Sequence, residues 1–269
     1  MTGALYIVST PIGNLSDITL RAIETLKTVD IILAEDTRTS SIIFHKYEIK
    51  TKVLSYHKFN ELKKVSEYID LILKGNNIAL ITDAGTPLIS DPGNILVNCA
   101  IKNNIKIIPV GGISALTTLI QSITREGEDF KFIGFIERQK EQIEETIIKN
   151  KFENLIFYES PKRILKTLEI IFNANNDAII SIGRELTKKF EEIKTMPVKD
   201  FIEYYKASPP KGEFVCMLHK NKENPDDDIL KQKISALKAQ NFTLKDISKI
   251  LEITDNAPKN KVKSLYIND

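Results

Sequence analysis

Several short stretches of the chain combine carboxylates, hydroxyls and turn-forming residues in patterns that could hold a small polar ligand and act on it. They are Ser9-Thr10-Pro11-Ile12-Gly13-Asn14, Glu35-Asp36-Thr37-Arg38, Asp83-Ala84-Gly85-Thr86-Pro87 and Gly111-Gly112-Ile113-Ser114-Ala115, with Ser90-Asp91-Pro92-Gly93 just after the third. Gly85, Gly112 and Ala115 let a ligand approach the backbone, while Pro11 and Pro87 stiffen apolar walls. Further along, Tyr158-Glu159-Ser160-Pro161-Lys162-Arg163, Gly183-Arg184-Glu185-Leu186-Thr187-Lys188 and Lys211-Gly212-Glu213 gather arginine, lysine and glutamate. Cations so placed grip phosphates, and Glu159, Glu185 or Glu213 could orient them or take up a proton. Each stretch also has a plain structural use. Pro11 and Gly13 suit turns, Asp36 or Thr37 a helix cap, and Asp91-Pro92 a helix start. Gly111-Gly112 suits positive φ, and the charges of the second group suit surface ion pairs.

The first group of stretches follows apolar runs that read as strands, at residues 5–8, 30–34, 78–82 and 105–110, with a further strand at 52–55. Amphipathic stretches at helical spacing lie between them, at 20–27 and 62–73. Short apolar strands alternating with helices predict parallel pairing, right-handed crossovers and helices on both faces of an open sheet. Such a sheet collects its ligands beyond the carboxyl ends of the strands, where these stretches fall. Past Gly111-Gly112 the sequence predicts a helix over 114–123, strands at 131–135, 154–158, 178–182, 190–195 and 213–218, and helices near 141–150 and 164–172. A turn at Gly183 followed by a strand pair predicts a mixed, partly antiparallel sheet. Asn224-Pro225 and the acidic residues 226–228 read as a linker, followed by short amphipathic helices at 229–237 and 244–251. The expected organisation is an N-terminal α/β domain over 1–110, a second over 111–222, a cleft between them, and a linker with a small helical tail over 223–269.

The 269 residues, 42% hydrophobic and 28% charged, leave room for two cores. No run reaches the ~20 apolar residues of a membrane span. The opening MTGALYIV lacks the basic and apolar regions of a signal peptide, so a cytoplasmic protein free of membrane is expected. Cys99 and Cys216 sit far apart in apolar runs and read as buried free thiols. His45, His57 and His219 show no metal-ligand spacing, so no metal is expected. A net charge of +2 does not by itself argue for nucleic acid, and lysines 188–189 and 259, 261 and 263 read as solvated surface. The stretches after the strands contain neither G-K-[ST] nor G-x-G-x-x-G, which argues against a phosphate-cradling loop and against NAD. Backbone groups, apolar walls and few cations suit a nucleoside with a neutral or zwitterionic tail, of which S-adenosylmethionine is one.

LYIVSTPIGNLSDIT, ILAEDTRTS, LITDAGTPLISDPG, LIFYESPKRI, GRELTK and KGEFV resemble, in order over about Leu5 to Leu218, the signature segments of a known family. It is the bacterial ribosomal RNA small subunit methyltransferase I family, of the tetrapyrrole-methylase-like class of S-adenosylmethionine-dependent methyltransferases. The resemblance implies two α/β domains, a homodimer, and S-adenosylmethionine in the interdomain cleft. It further implies methylation of a cytidine ribose 2′-hydroxyl in the decoding region of 16S rRNA, presented as RNA or as the small ribosomal subunit. Cofactor contacts would fall on Pro11, Ile12, Asp83, Ala84, Gly85, Thr86, Ile89, Ser114, Ala115, Tyr158 and Leu186. RNA contacts would fall on Arg38, Lys162, Arg163, Arg184, Lys188 and Lys211. For the chemistry, Glu35, Asp36, Glu159 and Glu185 are candidates for base or orienter, with Arg38 or Lys188 steering a phosphate. Two segments depart from the family pattern. Its P-G-P-[SC]-A reads Gly111-Gly112-Ile113-Ser114-Ala115 here, and its G-F-L-P reads Gly134-Phe135-Ile136-Glu137. A small-molecule, tetrapyrrole-type methyltransferase of the same fold and a non-catalytic RNA-binding assembly factor are the competing readings.

Overall fold

Runs of Ile, Leu and Val prefer the pleated, two-sided environment of a buried strand, and here they pair into two sheets. The computed structural model describes residues 2–221, 227–255 and 257–267. Strand β1 (Ala4–Val8) leads through a 3₁₀ turn at Leu15–Asp17 to α1 (Leu20–Thr28) and β2 (Ile31–Ala34). Then follow α2 (Thr37–Lys46), β3 (Lys52–Ser55), α3 (Glu61–Leu73), β4 (Ile78–Leu80), α4 (Asn94–Lys102) and β5 (Lys106–Val110). The sheet order is β3-β2-β4-β1-β5, with every pairing parallel. Side chains alternate across each strand, so Ile31 and Leu33 meet Tyr68, Ile72 and Leu96 from α3 and α4. Ile32 and Ala34 meet Ala22, Leu26, Ile43 and Phe44 from α1 and α2. This two-sided burial, at about 1.5–3 kcal/mol for a buried Leu or Ile, holds helices too short to persist alone in water.

Two local expectations fail for physical reasons. Helix α4 does not start at Asp91-Pro92. It starts after Gly93, whose φ of +129° turns the chain and leaves Asp91 in the loop. Neither Gly111 nor Gly112 has positive φ. Gly112 is needed for close approach instead, since a Cβ there would lie 2.7 Å from Ser9 Cβ.

The second sheet uses β6 (Lys131–Phe135), β7 (Leu155–Glu159), β8 (Ile179–Arg184), β9 (Glu192–Pro197) and β10 (Phe214–Leu218), in the order β6-β7-β10-β8-β9. It is mixed as predicted: β6 and β7 run parallel and the remaining pairs antiparallel. Gly183 is no turn; it lies inside β8, opposite Val215 and Ile193. Helices α6 (Lys140–Lys149), α7 (Ile164–Ala174) and α8 (Val198–Ala207) cover one face, and α5 (Ala115–Gln121) contributes Leu119 to the other. Helix α8 went unpredicted, although Val198, Phe201, Ile202 and Tyr205 follow a helical period and are buried. Cys216 is buried and Cys99 only half-buried, against the expectation for the latter, and both thiols are free.

Both sheets belong to one compact unit, Met1–Lys149 with Asn154–His219. A second unit comprises Asn150–Glu153 and Lys220–Asp269. It holds α9 (Asp227–Ala239), α10 (Leu244–Thr254) and α11 (Lys259–Ile267), packed on Leu230, Ile234, Ile247, Leu251, Val262 and Leu265. Thr243 and Asp246 close the start of α10 as a capping box. The third helix, which carries Lys259, Lys261 and Lys263, went unpredicted. Of the expected linker, Asn224, Pro225 and Asp226 lie outside the described residues, while residues 227 and 228 already belong to α9. Among the described residues no helix is long and apolar enough to cross a membrane.

Candidate active site

Beyond the carboxyl ends of the parallel strands, hydrogen bonds join the loops into one rim. Thr10 N donates to Gly85 O at 2.8 Å and Gly85 N to Thr10 O at 3.0 Å. Thr10 Oγ1 donates to Thr82 O at 3.0 Å, and Ser9 Oγ lies 3.0 Å from Thr86 Oγ1. The loop after β2 is held by Asp83, whose Oδ1 accepts from Asp36 N at 2.9 Å. Gly85 sits at φ +79°, where an L side chain would cost about 1–2 kcal/mol. The first loop also reaches the segment after β8. Asn14 N donates to Thr187 Oγ1 at 3.1 Å, and a Cβ on Gly13 would fall 2.4 Å from Lys188 Cγ.

A cavity of about 300 Å³ opens on this rim, within the size range of small-molecule sites. Nine of the eleven residues expected around a cofactor line it: Ile12, Ala84, Gly85, Thr86, Ile89, Ser114, Ala115, Tyr158 and Leu186. The other two do not. Pro11 is buried, and Asp83 is engaged with the Asp36 amide. Reading the sequence missed Ser90, Asp91, Phe135, Pro161 and Val215 as lining residues. Ser114 also caps α5, its Oγ accepting from Thr117 N at 3.2 Å. The walls are mostly apolar, the polar lining groups are hydroxyls, backbone and carboxylates, and no lysine or arginine lines the cavity among the described residues.

The carboxylates fall into distinct states. Glu159 is buried and saturated. Its Oε1 accepts from Ser160 N at 2.7 Å, and its Oε2 accepts from Thr167 Oγ1 at 2.6 Å and pairs with Arg163 at 3.1 Å. Glu185 Oε1 accepts from Lys188 Nζ at 2.9 Å and from Glu213 N at 3.0 Å. Burial pushes this carboxyl up, but those bonds outweigh it and hold it below the usual range. Asp36 caps α2, and its bonds with Arg38 draw it down to about 2. Glu35 is raised, first by burial and then by Asp83, with His57 opposing. Asp91 is the carboxylate of the cavity wall that has no cation partner among the described residues. Burial raises it from 3.8 to about 7, and the negative charges of Glu35 and Asp83 push the same way against a bond with Thr82.

The candidate RNA-binding cations are split between held and free. Lys188 bridges Glu185 and Glu213, at 2.9 and 2.8 Å. Arg184 pairs with Glu192 at 3.2 Å, and Arg163 with Glu159 and the backbone carbonyls of Ile136 and Glu137. Arg38 is exposed and bonded to Asp36, while Lys162 and Lys211 project into solvent. The structure therefore brings nine of the cofactor candidates onto one cavity, and none of the candidate cations lines it.

The family described as Tetrapyrrole (Corrin/Porphyrin) Methylases matches residues 4–202. A Halalkalibacterium halodurans protein named ribosomal RNA small subunit methyltransferase I is 37% identical over 273 residues, covering 98% of this chain and 94% of its own length. A Thermotoga maritima protein of the same name is 41% identical over 219 residues, covering 80% of this chain and 98% of its own. Among solved structures, a diphthine synthase aligns at TM-score 0.64 with 12% identity, covering 81% of this chain and 90% of its own. A cobalt precorrin-4 methyltransferase aligns at TM-score 0.60 with 17% identity, covering 80% and 94%. At these identities the two structures speak for the fold alone.

Proposed function

The chain belongs to the tetrapyrrole methylase family, and on that premise we propose that it is an S-adenosylmethionine-dependent methyltransferase of small-subunit ribosomal RNA, acting on the ribose 2′-hydroxyl of a cytidine. Relatives that match nearly its whole length carry the name of that RNA methyltransferase. The observation that carries the chemistry is the cavity: a prebuilt, mostly apolar chamber whose wall holds a raised carboxyl at Asp91, with no cation partner among the described residues. Its lining fits S-adenosylmethionine. Ile12, Ala84, Ala115 and Leu186 suit the faces of a nucleoside, and Gly85 leaves room at the backbone.

When bound, S-adenosylmethionine supplies an electrophilic methyl group on a sulfonium. The chain supplies the rest. A ribose hydroxyl is a poor nucleophile, so it must be held in line and relieved of its proton. Holding it contributes about 7–11 kcal/mol in favourable cases, and a general base about 10²–10⁴ in rate. The 2′-oxygen would take the methyl carbon as its bond to sulfur breaks and a neutral thioether leaves, and the hydroxyl proton would pass to an Asp91 Oδ. A carboxyl poised near neutrality is matched to that task, being ionised enough to accept and basic enough to hold the proton. Burial keeps it poised, with Glu35 and Asp83 adding to the shift, and Glu159 fixes the turn from Tyr158 into the next loop. Arg38, Lys162 and Lys211 meet the RNA phosphates, and Arg163, Arg184 and Lys188 join where a phosphate displaces a carboxylate partner. In this reading residues 1–110 and 111–222 act as two domains of a cytoplasmic homodimer, a state that light scattering on the purified protein checks.

The test is transfer of labelled methyl to small ribosomal subunits and to their RNA, with the product mapped by mass spectrometry. One 2′-O-methylcytidine is expected. Transfer to a porphyrin precursor but to neither RNA substrate refutes the assignment.

A further inference from the structure

Phe135 stands out on the cavity wall because it is aromatic, 60% exposed, and aimed there by a dedicated backbone feature. Strand β6 pairs with β7 at Lys131↔Leu155 and Phe132↔Ile156, but the next pair is Phe135↔Tyr158. One extra residue on β6 is thus accommodated as a β-bulge, with Gly134 at φ +74°. In a regular strand Phe132 and Phe135 would point to opposite faces. The bulge resets the alternation. Ile133 packs into the core on one side, while Phe132 and Phe135 both meet the Tyr158 ring edge-on, at centroid distances of 5.1 and 5.5 Å. Bulges concentrate beside active sites because they re-aim a side chain in this way.

Tyr158 is half-buried between the two phenylalanines, and Phe132 is itself packed against the sheet core, so Phe135 is the ring left open to solvent on this wall. Edge-on contact with Tyr158 fixes the ring without covering both its faces. An enzyme that must present a ribose in line with a buried donor takes its nucleotide out of the neighbouring stack, and an exposed aromatic ring replaces the stacking that is lost. We propose that Phe135 is the platform on which the target nucleobase stacks while its 2′-hydroxyl is presented to the cavity, a positioning residue of the reaction. This rests on the RNA methyltransferase reading above.

Phe135→Leu keeps an apolar side chain but removes the stacking face. The readouts are KM and kcat for methyl transfer to small subunits, fluorescence of an RNA oligonucleotide carrying pyrrolocytosine at the target position, and S-adenosylmethionine affinity by calorimetry. Loss of one base–aromatic stack weakens RNA binding about 5- to 150-fold, so KM should rise in that range and the stacking-dependent quench should vanish. Cofactor affinity should stay within about twofold of the unmodified protein, and Phe135→Trp should restore KM and quench. Gly134→Ala, which strains the bulge and places a Cβ 3.0 Å from Ser90 Oγ, should reproduce the KM defect with the ring still present. Unchanged KM and quench in Phe135→Leu overturn the stacking role alone. Loss of cofactor affinity in step with KM makes Phe135 part of the cofactor wall and overturns it too. Absence of RNA methylation by the unmodified protein overturns the functional reading itself, and the platform with it.

Discussion

Replacing Asp91 by asparagine should stabilise the protein and disable it together. The folded chain holds this carboxyl near 7, against 3.8 for a free aspartate. Between those values the folded state keeps a proton that the unfolded state has lost, so stability falls as pH rises through the window and the loss is complete above about 7. At pH 8 the full difference corresponds to about 4 kcal/mol. Solvent reaches the half-buried carboxyl and screens Glu35 and Asp83, which brings the figure down to about 1–2 kcal/mol. Asparagine keeps the shape and removes the charge. Asp91→Asn should therefore melt about 2–8 °C higher at pH 8, with a gain that shrinks steadily towards pH 4. Circular dichroism melts at pH 8, 6 and 5 measure this directly. Methyl transfer should fall about 10²- to 10⁴-fold, and the rise of kcat/KM with pH below 7 should flatten. The groups facing Asp91 are Glu35 from the loop after β2, Thr82 and Asp83 from the loop after β4, and Tyr158 from β7. Burial sets most of the position of the window, and of these groups Glu35 and Asp83 push it further up. A variant that loses activity but melts no higher at pH 8 than the unmodified protein refutes the strained carboxyl, and with it the reason for choosing Asp91 as base.

Other substitutions test the scaffold around the site. Gly112→Ala places a methyl 2.7 Å from Ser9 Cβ and should destabilise by about 1–3 kcal/mol, seen as a lower urea midpoint at unchanged slope. Glu159→Ala leaves Arg163 and Thr167 without their buried partner and should cost about 3 kcal/mol, read by chemical denaturation. Leu251→Ala opens a void in the core of the helical unit and should cost about 2–5 kcal/mol, reported by faster amide exchange in α9, α10 and α11. If exchange there stays slow, those helices draw their stability from elsewhere.

Much of the scaffold was legible because its signals are local. β-branched runs fixed strand positions to within two or three residues, and of the two cap candidates, Asp36 and Thr37, it is Asp36 that caps α2. The cavity residues were legible for the same reason: Ala84, Gly85 and Thr86 lie in the loop after β4, and Ser114-Ala115 follow β5 at a similar distance. What escaped depends on distance or on a single inserted residue. Asp91-Pro92 reads as a helix start, and only Gly93 at positive φ shows why the helix begins later and the carboxyl stays at the cavity. Glu35, Asp83 and Asp91 come from separate stretches, so their mutual repulsion has no signature in any one of them. Phe135 sits in a strand whose period assigns it to the wrong face until the bulge at Gly134 is seen.

The rim explains how a destabilising acid cluster is tolerated beside a ligand site. Reciprocal bonds between Thr10 and Gly85, the Thr10 hydroxyl on Thr82, and Asp83 on the Asp36 amide hold the loops where the sheet places them. Those bonds anchor the loops to β1 and β4, which are buried on both faces, so repulsion around Asp91 works against the sheet core rather than against free loops. Burial raises this carboxyl most, with Glu35 and Asp83 adding to it, and a flexible glycine-rich loop would let it move out to solvent and away from those charges. Pro11 and Pro87 deny it that freedom. The stiff rim thus serves two ends: it shapes an apolar pocket with no pyrophosphate to cradle, and it keeps a raised carboxyl at the pocket wall, where the proposed mechanism needs its proton acceptor. Softening the rim should therefore lower the apparent pKa of activity before it alters ligand binding.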